Sequence, residues 1–170
     1  MAPITLVLGG ARSGKSAHAE RLAADASPRR TYIATAQALD DEMATRIAHH
    51  KSRRDSSWQT VEAPLDLCGA IEAQATPDRV VLVDCLTLWL NNLLLANRNI
   101  EVEADGLIAT LENAAGPLIL VSNEVGLGIV PDNALARAFR DHAGRLNQRV
   151  AEAADKVVFL AAGLPMTLKG

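Results

Sequence analysis

Short runs of apolar, often β-branched residues alternate along the chain with longer stretches whose apolar positions recur every three or four residues. Ile4 to Leu8, Thr31 to Thr35, Val80 to Asp84, Leu118 to Ser122 and Lys156 to Leu160 are near-continuous apolar runs. That pattern predicts strands buried on both faces of a parallel sheet. Trp58 to Glu62, WQTVE, alternates instead and predicts an edge strand. Helical patterns fill roughly 15–25, 40–54, 65–75, 86–97, 101–114 and 131–154. In the last, Pro131 suits a first helical turn, and Asp132 and Asn133 fall near the positive end of the helix dipole. Leu135, Phe139, Leu146 and Val150 then predict a buried stripe. The Leu86 to Leu95 stretch with Trp89 is too apolar for a wet surface, so it predicts core packing first and a subunit interface second. Strands alternating with helices imply right-handed βαβ units and an α/β fold, a mainly parallel central sheet flanked by helices. No repeat, low-complexity tract or linker divides residues 1–170, which read as one domain.

Composition narrows the class. A chain of 170 residues that is 49% hydrophobic can bury a substantial core and is too apolar for disorder. With 17 Lys and Arg against 20 Asp and Glu it lacks the basic footprint of a general nucleic-acid binder. A local cluster could still hold a small anion. Cys68 and Cys85 stand alone, without a CxxC or a histidine pair, which argues against a disulfide scaffold or zinc site and for a reducing compartment. No uninterrupted apolar run is long enough for a membrane span, and the N-terminal stretch lacks the basic region of a signal peptide. The expectation is a cytoplasmic protein.

Directly after the first strand stands Gly9-Gly10-Ala11-Arg12-Ser13-Gly14-Lys15-Ser16, a full G-x-x-x-x-G-K-S followed by a helix-forming stretch. Its glycines allow a tight turn whose amides face phosphate oxygens; Lys15 reaches the terminal phosphates and the Ser16 hydroxyl takes one Mg²⁺ position. The expected fold is therefore a P-loop NTPase-like domain. Asp84 closes the run VVLVD at the carboxyl end of a central strand, where an acid holds magnesium. Capping of the following helix is the competing role.

The segment DDEMATRIAHHKSRR, 40–54, has acids at its start and bases at its end, as a helix dipole favours. On a helix Arg46, His50 and Arg54 share one face. A histidine between two guanidiniums is disfavoured in its protonated form and keeps a neutral nitrogen able to attack phosphorus. The arginines suit the triphosphate under attack. In isolation, such a segment reads first as a solvated basic face, and composition alone does not reverse that reading.

Several stretches together resemble one family, the bifunctional adenosylcobinamide kinase/adenosylcobinamide-phosphate guanylyltransferases of cobalamin biosynthesis. They are GGARSGKS, YIATA, DDEMATRIAHHKSRR, WQTVEAPLDL, VLVDCLTLWLNNLL and residues 122–165, nearly the whole chain. The resemblance implies two reactions at one nucleotide site. ATP or GTP gives its γ-phosphoryl to the aminopropanol hydroxyl of adenosylcobinamide. GTP is then attacked by a histidine, pyrophosphate leaves, and the GMP carried on nitrogen passes to the substrate phosphate. By register with the family pattern and by the helical stripe the nucleophile is His50, with His49 the alternative. The resemblance further implies a GTP site lined by the loop 9–16, by Ala34, Thr35 and Ala36, by Lys51, Ser52, Arg53 and Arg54, and by Glu62 and Asp84. Mg²⁺ would sit on Ser16 and Asp84. Asp84 stands where some members carry Glu, and Ala36 replaces a serine of part of the family. The implied partner is a corrinoid, and the implied assembly a homo-oligomer, a trimer.

Asn123 and Glu124 end another central strand and suit either substrate positioning or a turn. His18 and His142 read as packing or surface residues, and Arg137, Arg140 and Arg145 as a solvated helix face. Two other functions share the phosphate loop: a plain P-loop small-molecule kinase, and a non-catalytic GTP-binding switch. Neither needs a nucleophilic histidine.

Overall fold

The computed structural model describes residues 2–37, 41, 45 and 54–170. The apolar runs become the strands β1 (Ile4–Gly9), β2 (Arg30–Ala34), β3 (Trp58–Glu62), β4 (Val80–Asp84), β5 (Leu118–Asn123) and β6 (Lys156–Ala161). They form one sheet with the antiparallel β7 (Leu164–Lys169), in the order β3-β2-β4-β5-β1-β6-β7. All pairings before β7 are parallel. The described helices are α1 (Lys15–Ala26), α2 (Leu67–Gln74), α3 (Leu86–Leu95), α4 (Ile100–Glu112) and α5 (Ala134–Ala153). None is long and apolar enough to cross a membrane.

Near-continuous apolar strands are explained by helices on both sheet faces. Ala19 and Ala23 of α1 join Val7, Tyr32, Leu82, Ile119 and Val121 in one cluster. On the other face, residues of α2, α3, α4 and α5 pack over Leu6, Ile33, Val83 and Leu120. Trp89, Leu86 and Leu90 are fully buried in that larger cluster, so α3 is a core helix, as its composition predicts. Both cysteines are free.

Two expectations need correction. Helix α5 begins at Ala134, not at Pro131: Asn133 is its cap, accepting a hydrogen bond from the Ala136 amide at 2.7 Å. The buried stripe starts one turn late, because Leu135 is 68% exposed while Phe139 is partly buried and Leu146 and Val150 are buried. The first turn of α5 therefore gains nothing from the core below it. The chain past Leu160, which the apolar pattern leaves unassigned, forms a strand with no buried residue. Its hairpin turns at Ala162 and Gly163, with φ of 52° and 78°. Positive φ at both central positions is what a tight two-residue hairpin demands.

Candidate functional site

The parallel strands bring their carboxyl ends to one edge of the sheet, and the strand order decides which ends are neighbours. Gly9 lies opposite Asn123 on one side and Leu160 on the other. Ala34 lies between Glu62 and Asp84, and Asp84 lies opposite Val121. The phosphate loop, Asp84, Ala34, Glu62 and Asn123 thus lie along one edge of the sheet, the edge at which ligands bind in open α/β sheets.

The loop is shaped for close approach. Gly9 has φ of +154°, and a Cβ there would stand 2.6 Å from the Leu160 carbonyl oxygen and 2.7 Å from Ser13 Oγ. Gly14, at φ +96°, passes so near the β6–β7 hairpin that a Cβ would be 3.3 Å from Gly163 Cα. Gly163 also donates its amide to the Ser13 carbonyl at 2.9 Å. The hairpin is therefore the outer wall that seats the phosphate loop, a role invisible in a tail with no buried positions. Gly10 and Arg12 complete the turn, Arg12 at φ 54°, and Ala11 and Arg12 are exposed.

Lys15 is only 7% exposed and donates from Nζ to the Gly10 carbonyl at 2.6 Å. Burial lowers its pKa below the ordinary lysine value, opposed by the nearby Cys85 and Asp84. The Ser13 hydroxyl oxygen is buried and has no hydrogen-bond partner. A buried hydroxyl without a partner among the described residues, inside a glycine loop of this sequence, fits an anion held there.

Asp84 does not cap the next helix: the residue at that position is Cys85, and its side chain makes no capping bond. Instead Asp84 Oδ2 accepts from Ser16 Oγ at 2.8 Å and from the Tyr32 hydroxyl at 3.0 Å. Over the Tyr32 ring lies the guanidinium of Arg54, its carbon 3.6 Å from the ring centroid. Arg54 Nε and Nη1 are buried and have no hydrogen-bond partner among the described residues. Two buried, unsatisfied cationic donors beside a hydroxyl–carboxylate pair call for an oxyanion. Burial, then Asp84, raise the Tyr32 pKa above the ordinary tyrosine range, so its hydroxyl remains a donor.

Behind the crevice, polar networks hold the strand ends. Thr35 donates its hydroxyl to the Cys85 carbonyl at 2.7 Å and accepts the Cys85 amide at 2.9 Å. Asn92 donates to the carbonyls of Thr35 and Pro64 at 2.8 and 2.9 Å. On the other side Ser122 donates to Asn147 at 2.6 Å, and Thr87 Oγ1 receives the Asn123 amide at 2.7 Å. Asn147 donates to the Asn123 carbonyl at 3.2 Å. Glu124 donates its amide to the Gly9 carbonyl at 3.0 Å and accepts the Gly126 amide at 2.5 Å. The turn role of Glu124 is thus present, with its backbone tied to the phosphate loop.

Of the residues expected at the site, Gly9 through Ser16, Ala34, Thr35, Glu62 and Asp84 gather at this edge, Ala36 follows Thr35, and Arg54 reaches it through Tyr32. Thr35 is fully buried, its side chain committed to Cys85. Arg46, His49, His50, Lys51, Ser52 and Arg53 lie outside the described residues. His18 is near Arg21 on α1, and His142 is partly buried with an unpartnered Nδ1. Tyr32, Asn92 and Gly163 escape sequence reasoning. The available signals are a tyrosine two residues before a strand end, an amide inside an apolar helix, and an Ala-Gly turn.

Residues 5–168 match the family model described as cobinamide kinase / cobinamide phosphate guanyltransferase. The bifunctional adenosylcobalamin biosynthesis protein CobP of Pseudomonas aeruginosa is 52% identical, over 97% of this chain and 96% of that protein. The bifunctional adenosylcobalamin biosynthesis protein CobU of Salmonella typhimurium is 48% identical, over 96% and 98%. Among solved structures, a protein of Pyrococcus horikoshii OT3 superposes with a TM-score of 0.57 at 11% identity, over 99% of this chain and 86% of that one. An ATPase of a bacterial type III secretion system gives a TM-score of 0.56 at 9% identity, over 97% and 56%. These distant likenesses establish the fold, a P-loop α/β sheet.

Proposed function

Given that the chain belongs to the cobinamide kinase / cobinamide phosphate guanyltransferase family, we propose that it carries out both reactions at the carboxyl edge of its sheet, within a single unit spanning 1–170. The observation that supports one shared site most directly is the contact chain Ser16–Asp84–Tyr32–Arg54. It joins the phosphate loop to the end of the basic segment that contains His50.

In the kinase step, the aminopropanol hydroxyl oxygen of adenosylcobinamide attacks the γ-phosphorus of ATP or GTP. The bond to the β-bridging oxygen breaks, the nucleoside diphosphate leaves, and the hydroxyl proton goes to solvent. Lys15 and the loop amides hold the charge that develops on the phosphates. In the second reaction, a histidine nitrogen attacks the α-phosphorus of GTP and pyrophosphate leaves. An oxygen of the substrate phosphate then attacks the same phosphorus, the P–N bond breaks, and adenosylcobinamide-GDP is released. Splitting one displacement into two through a phosphoramidate is covalent catalysis. His50 is the proposed nucleophile. His50 precedes Arg54 by four residues in the chain. Arg54, with two unpartnered donors, suits the triphosphate.

Ser16 and Asp84 fit Mg²⁺. One hydroxyl and one carboxylate, 2.8 Å apart, are the sparse protein set this ion takes beside phosphate oxygens and water. When bound there it supplies charge neutralisation between the phosphates.

The proposed setting is cytoplasmic and the assembly a homotrimer. Leu127, Ile129, Val130 and Leu135, between 62% and 98% exposed, form an apolar segment after β5 that suits a second copy as cover. The test of function is to supply adenosylcobinamide, Mg²⁺ and GTP and identify the corrinoid products by mass. Phosphorylated and then GDP-bearing corrinoid is the expected pair. Phosphorylated corrinoid alone supports a plain kinase, and no product with intact GTP binding supports a switch.

A further inference from the structure

Tyr32 touches both halves of the candidate site, and nothing in its surroundings requires a hydroxyl for packing. Its ring is 5% exposed and lies in the α1-side cluster, edge-on to Trp58 with centroids 6.2 Å apart. Phenylalanine would fill that space equally well. The hydroxyl is spent on Asp84 Oδ2, at 3.0 Å, the oxygen that also accepts from Ser16. The face of the same ring carries the Arg54 guanidinium at 3.6 Å. A guanidinium this close to a buried aromatic face is held by cation–π attraction and by the flat contact itself. Nε and Nη1 of this guanidinium are buried, and among the described residues they have no hydrogen-bond partner.

We propose that Tyr32 is a positioning residue that couples the two halves of the triphosphate site, its hydroxyl orienting the magnesium acid Asp84 while its ring face aims Arg54 at the phosphates. This rests on the reading of the sheet's carboxyl edge as the GTP site. The two functions reside on different parts of one side chain, and conservative variants separate them. Tyr32→Phe keeps the platform and loses the bond to Asp84. Tyr32→Leu loses both.

The experiment is titration of Mg²⁺ and GTP, without corrinoid, into wild type, Tyr32→Phe, Tyr32→Leu, Arg54→Lys and the Tyr32→Leu/Arg54→Lys double variant, each checked for folding by urea denaturation. In Tyr32→Phe the Mg²⁺ concentration for half-maximal GTP binding should rise about fivefold, with a GTP Kd at saturating Mg²⁺ raised about twofold at most, since the aromatic face remains. In Tyr32→Leu the Kd at saturating Mg²⁺ should rise about tenfold. The double variant should bind no more weakly than Arg54→Lys alone, because the ring acts through Arg54. A purely structural tyrosine predicts otherwise: an unchanged Mg²⁺ requirement in Tyr32→Phe, or losses that multiply in the double variant. Either result overturns the proposal, and the first decides it even if Tyr32→Leu fails to fold. If the coupling holds while adenosylcobinamide is not phosphorylated, the bifunctional reading falls and the role of Tyr32 stands. If wild type binds no GTP, both fall.

Discussion

The two ends of the sheet make opposite use of the same residue types. At the amino ends of β2, β3 and β4, a cavity of about 350 Å³ is lined by Arg29, Arg30, Arg79 and Trp58. Every one of those arginines already has a partner. Arg29 pairs with Asp78, Arg30 donates to the Ser27 carbonyl over the Trp58 ring, and Arg79 donates to Gln59 and Gln74. At the carboxyl ends, Arg54 also stacks on an aromatic ring, yet two of its donors are buried and unpartnered, and so is the Ser13 hydroxyl. The hollow with satisfied arginines is a fold feature, whereas the unpartnered buried donors beside the phosphate loop fit a ligand that is not part of the chain. Polar satisfaction, more than cavity size or charge, separates the functional end from the structural one.

That contrast can be broken by mutation. The largest effect is expected at Lys15. Lys15→Ala should lower the rates of both transfers about 10²- to 10³-fold, as loss of a preorganised charge does. Arg79→Ala at the other end should leave both within about twofold, which steady-state assays of the two products would check. Next comes the network behind the crevice. Asn92→Leu leaves the Thr35 and Pro64 carbonyls without their donor, and urea denaturation should show a loss of about 2–4 kcal/mol. Gly9→Ala places a Cβ against the Leu160 carbonyl in a strained backbone. It should cost about 1–3 kcal/mol of stability and weaken GTP binding disproportionately, read by denaturation and calorimetry together. A pH dependence confined to the alkaline range comes last. Burial pushes the Cys85 thiol from its ordinary 9.0 up to about 12. The unfolded thiol ionises first, so stability present below pH 9.0 is lost as pH rises toward 12. Denaturation midpoints across that range should fall less steeply in Cys85→Ala than in wild type.

Much of the functional end is legible in the sequence because its constraints are local. A strand, a glycine turn and a lysine must be contiguous to cradle phosphate, and Asp84 closes a run of apolar residues that only a buried strand explains. What escapes is set by contacts between distant segments. Tyr32 reads as another apolar strand position until β2 is seen beside β4. Gly163 gains its role only when the hairpin folds against the phosphate loop, and β7 is missed because a strand with no buried residue carries no periodic signal. Leu135 fits the helical stripe by spacing but lies in a first turn that overhangs the core. Asp84 was open to a capping role by position, and only its bonds to Ser16 and Tyr32 decide against it.

Two transfers at one nucleotide site, as proposed, require a histidine that carries GMP. Intact-protein mass after incubation with Mg²⁺ and GTP tests it most directly, with His50→Ala and His49→Ala alongside wild type. A single GMP adduct is expected on wild type and His49→Ala and none on His50→Ala. Folded, GTP-binding wild-type protein without an adduct would contradict it, and an adduct lost only in His49→Ala would move the nucleophile by one residue.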